Sequence, residues 1–230
     1  MLGIIGATSE EIELIVLSMT QCSTSTSYGI ETVHGYLCGH FVVVACCGIG
    51  KVNASRCAQI LICEYSVTEI INVGIAGGMI DSLSIGDVVI SEAARYFDYD
   101  ASGIGINIGE MLGMKESVFK ADTKLVELAE TSCKHVMKNN RYHKGLILSG
   151  DQFVVDLELK KRISDYFGGV CVDMEGAAIA QTAMMSDISW VIIRAISDYS
   201  NFDSINMINA NKRLAISACS DIIQELVCNM

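Results

Sequence analysis

The stretch VCVDMEGAAIAQTAMM, residues 170–185, joins a short apolar strand to a helix of small residues through two acidic residues. Residues 170–174 predict a buried strand and residues 176–185 predict a helix. The same order of strand, polar turn and helix recurs along most of the chain. Since strands that alternate with helices form parallel sheets covered on both faces, the sequence predicts an α/β protein with a mainly parallel sheet.

Outward from this stretch, the hydrophobic pattern predicts the remaining elements. Further strands are predicted at residues 2–7, 69–73, 86–90 followed by 91–96, 145–148 and 190–196. Further helices are predicted at residues 10–19, 52–64, 123–138, 157–167 and 208–227. Residues 32–38 and 40–47 alternate around Gly39, which predicts an antiparallel hairpin and makes the sheet mixed. Residues 98–121 predict a long functional loop, and the absence of a linker or repeat predicts one domain over residues 1–230.

Composition excludes several classes of protein. The net charge is −11, and the 16 lysines and arginines form no basic stripe, so binding to a nucleic-acid backbone is not expected. Hydrophobic residues make up 51% of the chain, yet no apolar run reaches the roughly 18 residues of a membrane span. Residues 1–6 carry no basic start and no cleavage pattern of a secretory signal. The sequence therefore predicts a cytoplasmic protein with no nucleic-acid or membrane partner.

The cysteines and histidines carry no metal-site pattern. The 10 cysteines show no C-x-x-C spacing, and several, such as Cys46, Cys47 and Cys171, lie inside apolar runs. Our interpretation is that they are free thiols packed as small apolar side chains in a reducing cytoplasm. The four histidines do not cluster with cysteines or carboxylates at ligand spacing. We therefore expect neither a metal nor another cofactor.

Acidic residues come shortly after three of the predicted strands. Glu11, Glu175 and Asp198 come from distant parts of the chain, and each lies just beyond a buried strand. Ligands of open parallel sheets bind beyond the carboxyl ends of the strands, so these carboxylates are expected at one edge. Burying a carboxylate is costly unless it is paired with a cation, hydrogen-bonded or used in binding or catalysis. Their combination therefore indicates a functional site with few cations.

Each feature taken alone has a simpler explanation. Thr8 and Glu11 match a capping box, in which Glu11 would only complete the first turn of a helix. Residues 74–78 are explained by a tight turn between strand and helix, because they lack the spacing of a dinucleotide or triphosphate loop. Asp198 has two structural alternatives, which are to cap the segment that follows it or to form an ion pair with Arg194. The sequence leaves these alternatives open.

Seven short motifs follow one another across nearly the whole chain. They are IIGA with EE (4–7, 10–11), GIGKV (48–52), GIAGG (74–78), GDVV (86–89), SGD (149–151), VDMEGAA (172–178) and RAISD (194–198). Together they resemble the 5′-methylthioadenosine/S-adenosylhomocysteine nucleosidases, which share their fold with the nucleoside phosphorylases. The resemblance implies a three-layer α/β/α sandwich with a mixed, mainly parallel sheet, and a homodimer. It also implies hydrolysis of the N-glycosidic bond of either nucleoside, which releases adenine and a 5-modified ribose.

The resemblance assigns the three carboxylates to chemical roles. Glu11 matches the base that activates the attacking water, and Asp198 matches the acid that protonates the purine N7. Glu175 matches the carboxylate that holds the ribose hydroxyls. The roles fit the reaction, because cleavage develops positive charge on the sugar and negative charge on the leaving base.

The resemblance also implies the rest of the substrate site. Met174 would pack on the sugar, Phe153 would stack on adenine, Val154 would read the adenine edge through its backbone, and Ser197 would support Asp198. The remaining predicted substrate-binding residues are Ile49, Ile75, Ala76, Gly77 and Asp173.

The pocket for the 5′-substituent departs from the family pattern. Ile104 and Ile106 would reach this pocket from the neighbouring subunit, where the family usually has aromatic residues. Ile75 stands where the family usually has serine. The sequence therefore does not decide whether the preferred 5′-substituent is a methylthio, a homocysteinyl or a plain hydroxyl group.

Two other functions are compatible with the same fold. A phosphorylase needs a phosphate cradle, whereas the two acids of the first loop would repel phosphate, and Lys51 and Arg194 are the cations that the motifs place nearby. A non-catalytic nucleoside sensor would not need Glu11. An unrelated α/β domain with capping acids is the least specific alternative.

Overall fold

The computed structural model describes residues 1–137, 141–201 and 203–230. Ten strands occur in these ranges: β1 (Leu2–Gly6), β2 (Thr20–Ser27), β3 (Ile30–Leu37), β4 (His40–Cys46), β5 (Glu69–Gly78), β6 (Val88–Tyr96), β7 (Phe119–Lys120), β8 (Tyr142–Ser149), β9 (Cys171–Asp173) and β10 (Ser189–Asp198). The α-helices in the same ranges are α1 (Ser9–Leu17), α2 (Lys51–Tyr65), α3 (Thr123–Val136), α4 (Leu157–Phe167), α5 (Gly176–Met185) and α6 (Ser204–Cys228). A short 3₁₀ helix covers Ser102–Ile104.

The strands form one mixed sheet in the order β10-β6-β8-β9-β5-β1-β4-β3-β2, with β7 beside β6. Strands β4, β1, β5 and β10 run parallel to one another, and β6, β8 and β9 form a second parallel group. The predicted hairpin is present as β3 and β4, and further antiparallel pairs join β5 to β9 and β6 to β10. Because β10 pairs with both β5 and β6, five strands close into a ring.

Helices cover both faces of this sheet. Helices α2 and α5 pack in one apolar core, and helices α1, α3 and α6 pack in a second core on the other face. The alanines of α5 are buried, and such small side chains allow a helix to approach its neighbours closely. The sheet and its two helical layers confirm the predicted three-layer α/β/α sandwich.

Some elements differ from the sequence prediction. Strand β2 was not predicted, because its residues are polar and lie exposed at the edge of the sheet. Residues 74–78 are the end of β5 rather than a tight turn to a helix. The two segments predicted at 86–96 form the single strand β6, with an irregularity between Ser91 and Ala93. Lys138, the last residue of the predicted third helix, lies outside the described residues.

The cysteine interpretation is wrong for two residues. Cys38, in the turn between β3 and β4, forms a disulfide with Cys228 at the end of α6. The two cysteines are separated by 190 positions, so no local spacing indicates their pairing. The other eight cysteines are free thiols, and five of these are buried, whereas Cys22 and Cys63 are exposed and do not pack as core residues. In the described ranges, no helix combines the length and the apolar character that crossing a bilayer requires.

Candidate active site

A cavity of about 230 Å³ opens at the carboxyl ends of β1, β5, β9 and β10. It is lined by all of the predicted catalytic and substrate-binding residues of a single chain: Glu11, Ile49, Ile75, Ala76, Gly77, Phe153, Val154, Asp173, Met174, Glu175, Ser197 and Asp198. Ile104 and Ile106, predicted to act from a neighbouring subunit, do not line it. The fold thus brings residues from six separate segments to one place.

Glu11 both caps helix α1 and faces the cavity. Its Oε2 accepts hydrogen bonds from the backbone N–H groups of Ala7 (2.8 Å) and Thr8 (2.9 Å), and its Oε1 accepts one from Ile75 (3.0 Å). Gly74 leaves room for this carboxylate, because a Cβ on Gly74 would lie 2.5 Å from Oε1. Glu11 therefore completes the first turn of α1 and lines the cavity at the same time.

The environment of Glu175 disfavours the charged form of its carboxyl group. Burial, helped by the neighbouring charges of Asp173 and Glu11, raises the pKa of Glu175 to about 7. Arg194 and the backbone N–H of Gly50, which donates to Oε1 at 2.8 Å, act in the opposite direction. Glu175 therefore gains or loses a proton easily near neutral pH.

Arg194 is buried and does not line the cavity, and its guanidinium group is hydrogen-bonded to neighbouring side chains. Its Nε donates to Oδ2 of Asp173 at 2.8 Å, and its Nη2 donates to Oδ1 of Asn72. Asp173 also accepts hydrogen bonds from Ser149 Oγ (2.5 Å) and from the backbone N–H of Gly176. The partner of Arg194 is thus Asp173, so the alternative that pairs Arg194 with Asp198 is wrong.

Asp198 is aimed by a bulge at the end of β10. The pairing with β5 shifts register between Ile196 and Asp198, so Ser197 is the extra residue. Bulges next to active sites redirect side chains in this way. Oδ2 of Asp198 accepts from Ser197 Oγ (3.0 Å), and Oδ1 accepts from the backbone N–H of Ser200 (2.8 Å). These two donors fix the orientation of the carboxyl group.

The apolar part of the cavity is partly open to solvent. Phe153 is 48% exposed and Ile49 is 58% exposed, whereas Val154 is buried. An aromatic ring left exposed at a cavity mouth can bury its face against a flat ligand. This position is consistent with the stacking role that the resemblance implies for Phe153.

The cations near the cavity are already paired. Nζ of Lys51 lies 2.6 Å from Asp98 and 3.6 Å from Asp151. Lys212, which lines the cavity, forms an ion pair with Glu10. With Arg194 committed to Asp173, these cations leave no ready cradle for a phosphate dianion.

Several residues that line the cavity were not predicted from the sequence. They are Ala7, Thr8, Gln152, Val172, Ser200, Ile208 and Lys212. Ile208 and Lys212 are four positions apart on α6 and therefore share one helix face. That spacing was visible in the sequence, but nothing local indicated that this face covers the cavity.

Comparison with known proteins agrees with this geometry. The sequence matches the family model of the phosphorylase superfamily over residues 1–227. A 5′-methylthioadenosine/S-adenosylhomocysteine nucleosidase of Shewanella loihica is 41% identical over 204 residues, which cover 88% of each chain. One of Bacillus cereus is 40% identical over 88% of this chain and 87% of its own.

Solved structures show the same likeness. The nucleosidase of Neisseria meningitidis, in complex with methylthio-immucillin-A, aligns with a TM-score of 0.96 and 32% identity, covering 100% of this chain and 99% of that chain. S-adenosylhomocysteine nucleosidase from Streptococcus pyogenes, in complex with 5-methylthiotubericidin, aligns with a TM-score of 0.94 and 29% identity over 100% and 96% of the chains. These likenesses confirm the resemblance drawn from the motifs. The chain therefore belongs to the 5′-methylthioadenosine/S-adenosylhomocysteine nucleosidase family of the phosphorylase superfamily.

Proposed function

We propose that the protein hydrolyses the N-glycosidic bond of 5′-methylthioadenosine and S-adenosylhomocysteine, releasing adenine and a 5-modified ribose. The observation that carries the proposal is the convergence of Glu11, Glu175 and Asp198 on one largely apolar cavity. All three are buried. Three buried carboxylates around a cavity of this kind fit a reaction that moves protons and builds positive charge on a sugar.

Asp198 is the proposed acid for the leaving base. As the bond between C1′ and N9 breaks, its electron pair moves into the purine, and a proton delivered to N7 neutralises the base. The donors on Asp198, Ser197 Oγ and the Ser200 amide, hold the carboxyl group in one orientation. Proton transfer from a positioned group contributes about 10²–10⁴-fold to a rate.

Glu175 and Glu11 are proposed to act on the sugar side. The Glu175 carboxylate would hold the ribose hydroxyls and stabilise the positively charged sugar. Glu11 would take a proton from the water that attacks C1′. Because Glu11 already accepts three backbone hydrogen bonds, its position is fixed before any ligand binds. The remaining substrate contacts proposed are those of Met174, Phe153 and Val154.

Water is favoured over phosphate as the nucleophile by the charges at the site. Glu11 and Glu175 would both repel phosphate, and Arg194 and Lys51 are held by their own carboxylates. A non-catalytic sensor is not favoured either, because binding alone does not require a fixed carboxylate such as Glu11.

An assay of adenine release tests the proposal. Methylthioadenosine, adenosylhomocysteine and adenosine should be compared with and without inorganic phosphate. We expect adenine release from the first two that does not change with phosphate. Strict dependence on phosphate would replace hydrolysis with phosphorolysis, and binding without release would indicate a sensor.

A homodimer is proposed to complete the pocket for the 5′-substituent. Ile104 is 68% exposed on the loop between β6 and β7, and Ile106 lies on the same loop. Burying such side chains in a neighbouring copy is favourable. Light scattering at micromolar concentration should give twice the mass of 24.8 kDa, and a monomer would contradict the proposal.

We also propose that residues 1–230 act as a single nucleosidase domain in the cytoplasm. The eight free thiols support a reducing compartment, whereas the bond between Cys38 and Cys228 runs against it. Fractionation of cells, followed by blotting, tests the location directly.

A further inference from the structure

Ser200 has a buried hydroxyl group that makes no hydrogen bond within the described part of the protein. The residue is 1% exposed and lines the cavity, two positions after Asp198. Within the described part of the chain, Ser200 Oγ has no hydrogen-bond partner. A side chain on Gly77 would collide with this Oγ, so the hydroxyl lies against the bare backbone of another cavity-lining residue.

Two energetic costs coincide at this residue. A buried hydroxyl without a partner is destabilising, because it loses its hydrogen bonds to water and gains none within the protein. In addition, Ser200 has a φ of 50°, a left-handed conformation that is uncommon for serine. Costs of this kind gather at functional sites, where a ligand supplies the missing partner.

Ser197 provides a comparison on the same carboxylate. Its hydroxyl donates to Oδ2 of Asp198 at 3.0 Å and so has a partner inside the protein. Ser200 instead uses its backbone N–H for Oδ1, at 2.8 Å, and leaves its hydroxyl free beside the same acid. The position of Asp198 is therefore fixed without the Ser200 hydroxyl.

The chemistry of adenine indicates what this hydroxyl can bind. Adenine presents N7 and its exocyclic 6-amino group on one edge, the first as an acceptor and the second as a donor. We infer that Ser200 Oγ accepts a hydrogen bond from the 6-amino group while Asp198 faces N7. Ser200 is then a specificity-determining residue for 6-aminopurines. The inference rests on the proposed function in placing adenine N7 at Asp198.

The test compares substrates with and without the 6-amino group. The variants are Ser200→Ala and Ser200→Gly, assayed with methylthioadenosine and with its analogue that has hydrogen at position 6. Losing one neutral hydrogen bond should lower kcat/KM for methylthioadenosine by about 3- to 10-fold. The change for the 6-hydrogen analogue should stay below about twofold, since that substrate has no donor to lose.

Binding provides a second, independent measurement. Calorimetry with adenine and with unsubstituted purine should show weaker adenine binding in both variants and unchanged purine binding. The melting temperature of the ligand-free variants should not fall, because the hydroxyl makes no internal hydrogen bond. Glycine suits the left-handed conformation, so Ser200→Gly keeps the test valid if Ser200→Ala folds poorly. Ser220→Ala, at a buried serine outside the cavity, is the matched control. It should change neither kcat/KM for the two substrates nor the binding of adenine and purine.

Two results would overturn the inference. An equal loss with both substrates would mean that Ser200 acts only through Asp198, and no loss with either would mean that the hydroxyl does not contact the base. If the wild-type protein releases no adenine, the proposed function fails. The difference between adenine and purine binding would still decide the role of Ser200.

Discussion

The backbone N–H of Ile75 donates a 3.0 Å hydrogen bond to Oε1 of Glu11, which ties the first turn of α1 to strand β5. Ala7 and Thr8 occupy the other carboxylate oxygen. A group held by three backbone donors cannot reorient without losing them. This rigidity suits the role proposed for Glu11, because a base that activates one water molecule must hold that water in a fixed position.

Replacing Glu11 with glutamine should separate catalysis from binding. A glutamine cannot take up a proton from water, so kcat should fall by about 10²–10⁴-fold. Its amide nitrogen would also face at least one backbone donor, which should lower the free energy of unfolding by about 1–3 kcal/mol. Steady-state kinetics measure the change in kcat, urea denaturation measures the free energy of unfolding, and adenine titration shows whether binding is retained. Glu13→Gln, an exposed acid on the same helix, is the control. Full activity in Glu11→Gln would remove Glu11 from the mechanism.

Gly74→Ala should damage the site through space alone. The new Cβ would lie 2.5 Å from Oε1 of Glu11 and 3.2 Å from Nη1 of Arg194, so the carboxylate must move. We expect kcat to fall at least about tenfold, because small displacements of catalytic groups are costly. Gly78→Ala on the same strand is the matched control, since its nearest neighbour would be 3.4 Å away. Equal activity in both variants would contradict this account.

Glu175 should make stability depend on pH. Its pKa rises from the ordinary 4.5 to about 7 in the folded protein, so the folded state holds a proton that the unfolded state has lost. Glu175 therefore costs nothing below pH 4.5, becomes destabilising as the pH rises towards 7, and keeps that cost above it. Glu175→Gln removes the charge, so the variant should be more stable than wild type above pH 7, by at most about 3 kcal/mol.

Chemical denaturation at pH 4 and pH 8 measures this difference. The advantage of Glu175→Gln should vanish at the lower pH while its activity stays low at both. A stability difference that does not change with pH would show that Glu175 is not protonated in the folded protein near neutral pH.

Arg194→Met should destabilise the protein strongly. Asp173 would keep a buried charge without its cation, and breaking such a pair costs about 3–5 kcal/mol. The double variant Arg194→Met with Asp173→Asn should recover part of this loss, because no buried charge then remains unpaired. Urea denaturation of the two single variants and the double variant gives the coupling energy. Strict additivity would mean that the 2.8 Å contact between them does not stabilise the fold.

The fold was predictable where apolar periodicity is strong. Helices α4 and α5 begin and end at the predicted residues, because polar turns border their patterns on both sides. Strand β2 was not predicted, since its run of threonine and serine has no apolar alternation and its pairing with β3 decides its conformation.

The site was predictable where residues lie at the end of a strand or shortly after it. Glu11 and Glu175 follow β1 and β9, Asp198 is the last residue of β10, and all three line one cavity. Ile208 and Lys212 were missed because they reach the cavity through the docking of α6 over it, which no local pattern encodes. Ser200 was missed because an unpartnered hydroxyl is recognisable only once its surroundings are known.

The bond between Cys38 and Cys228 changes what a cut in the backbone would do. It joins the two ends of a segment that spans 190 positions and includes the whole loop between β6 and β7. A protease that cleaved that loop once would leave both pieces joined through sulfur. The nicked protein would migrate as one species until a reductant was added, and the pieces that carry Glu11 and Asp198 would remain a single molecule.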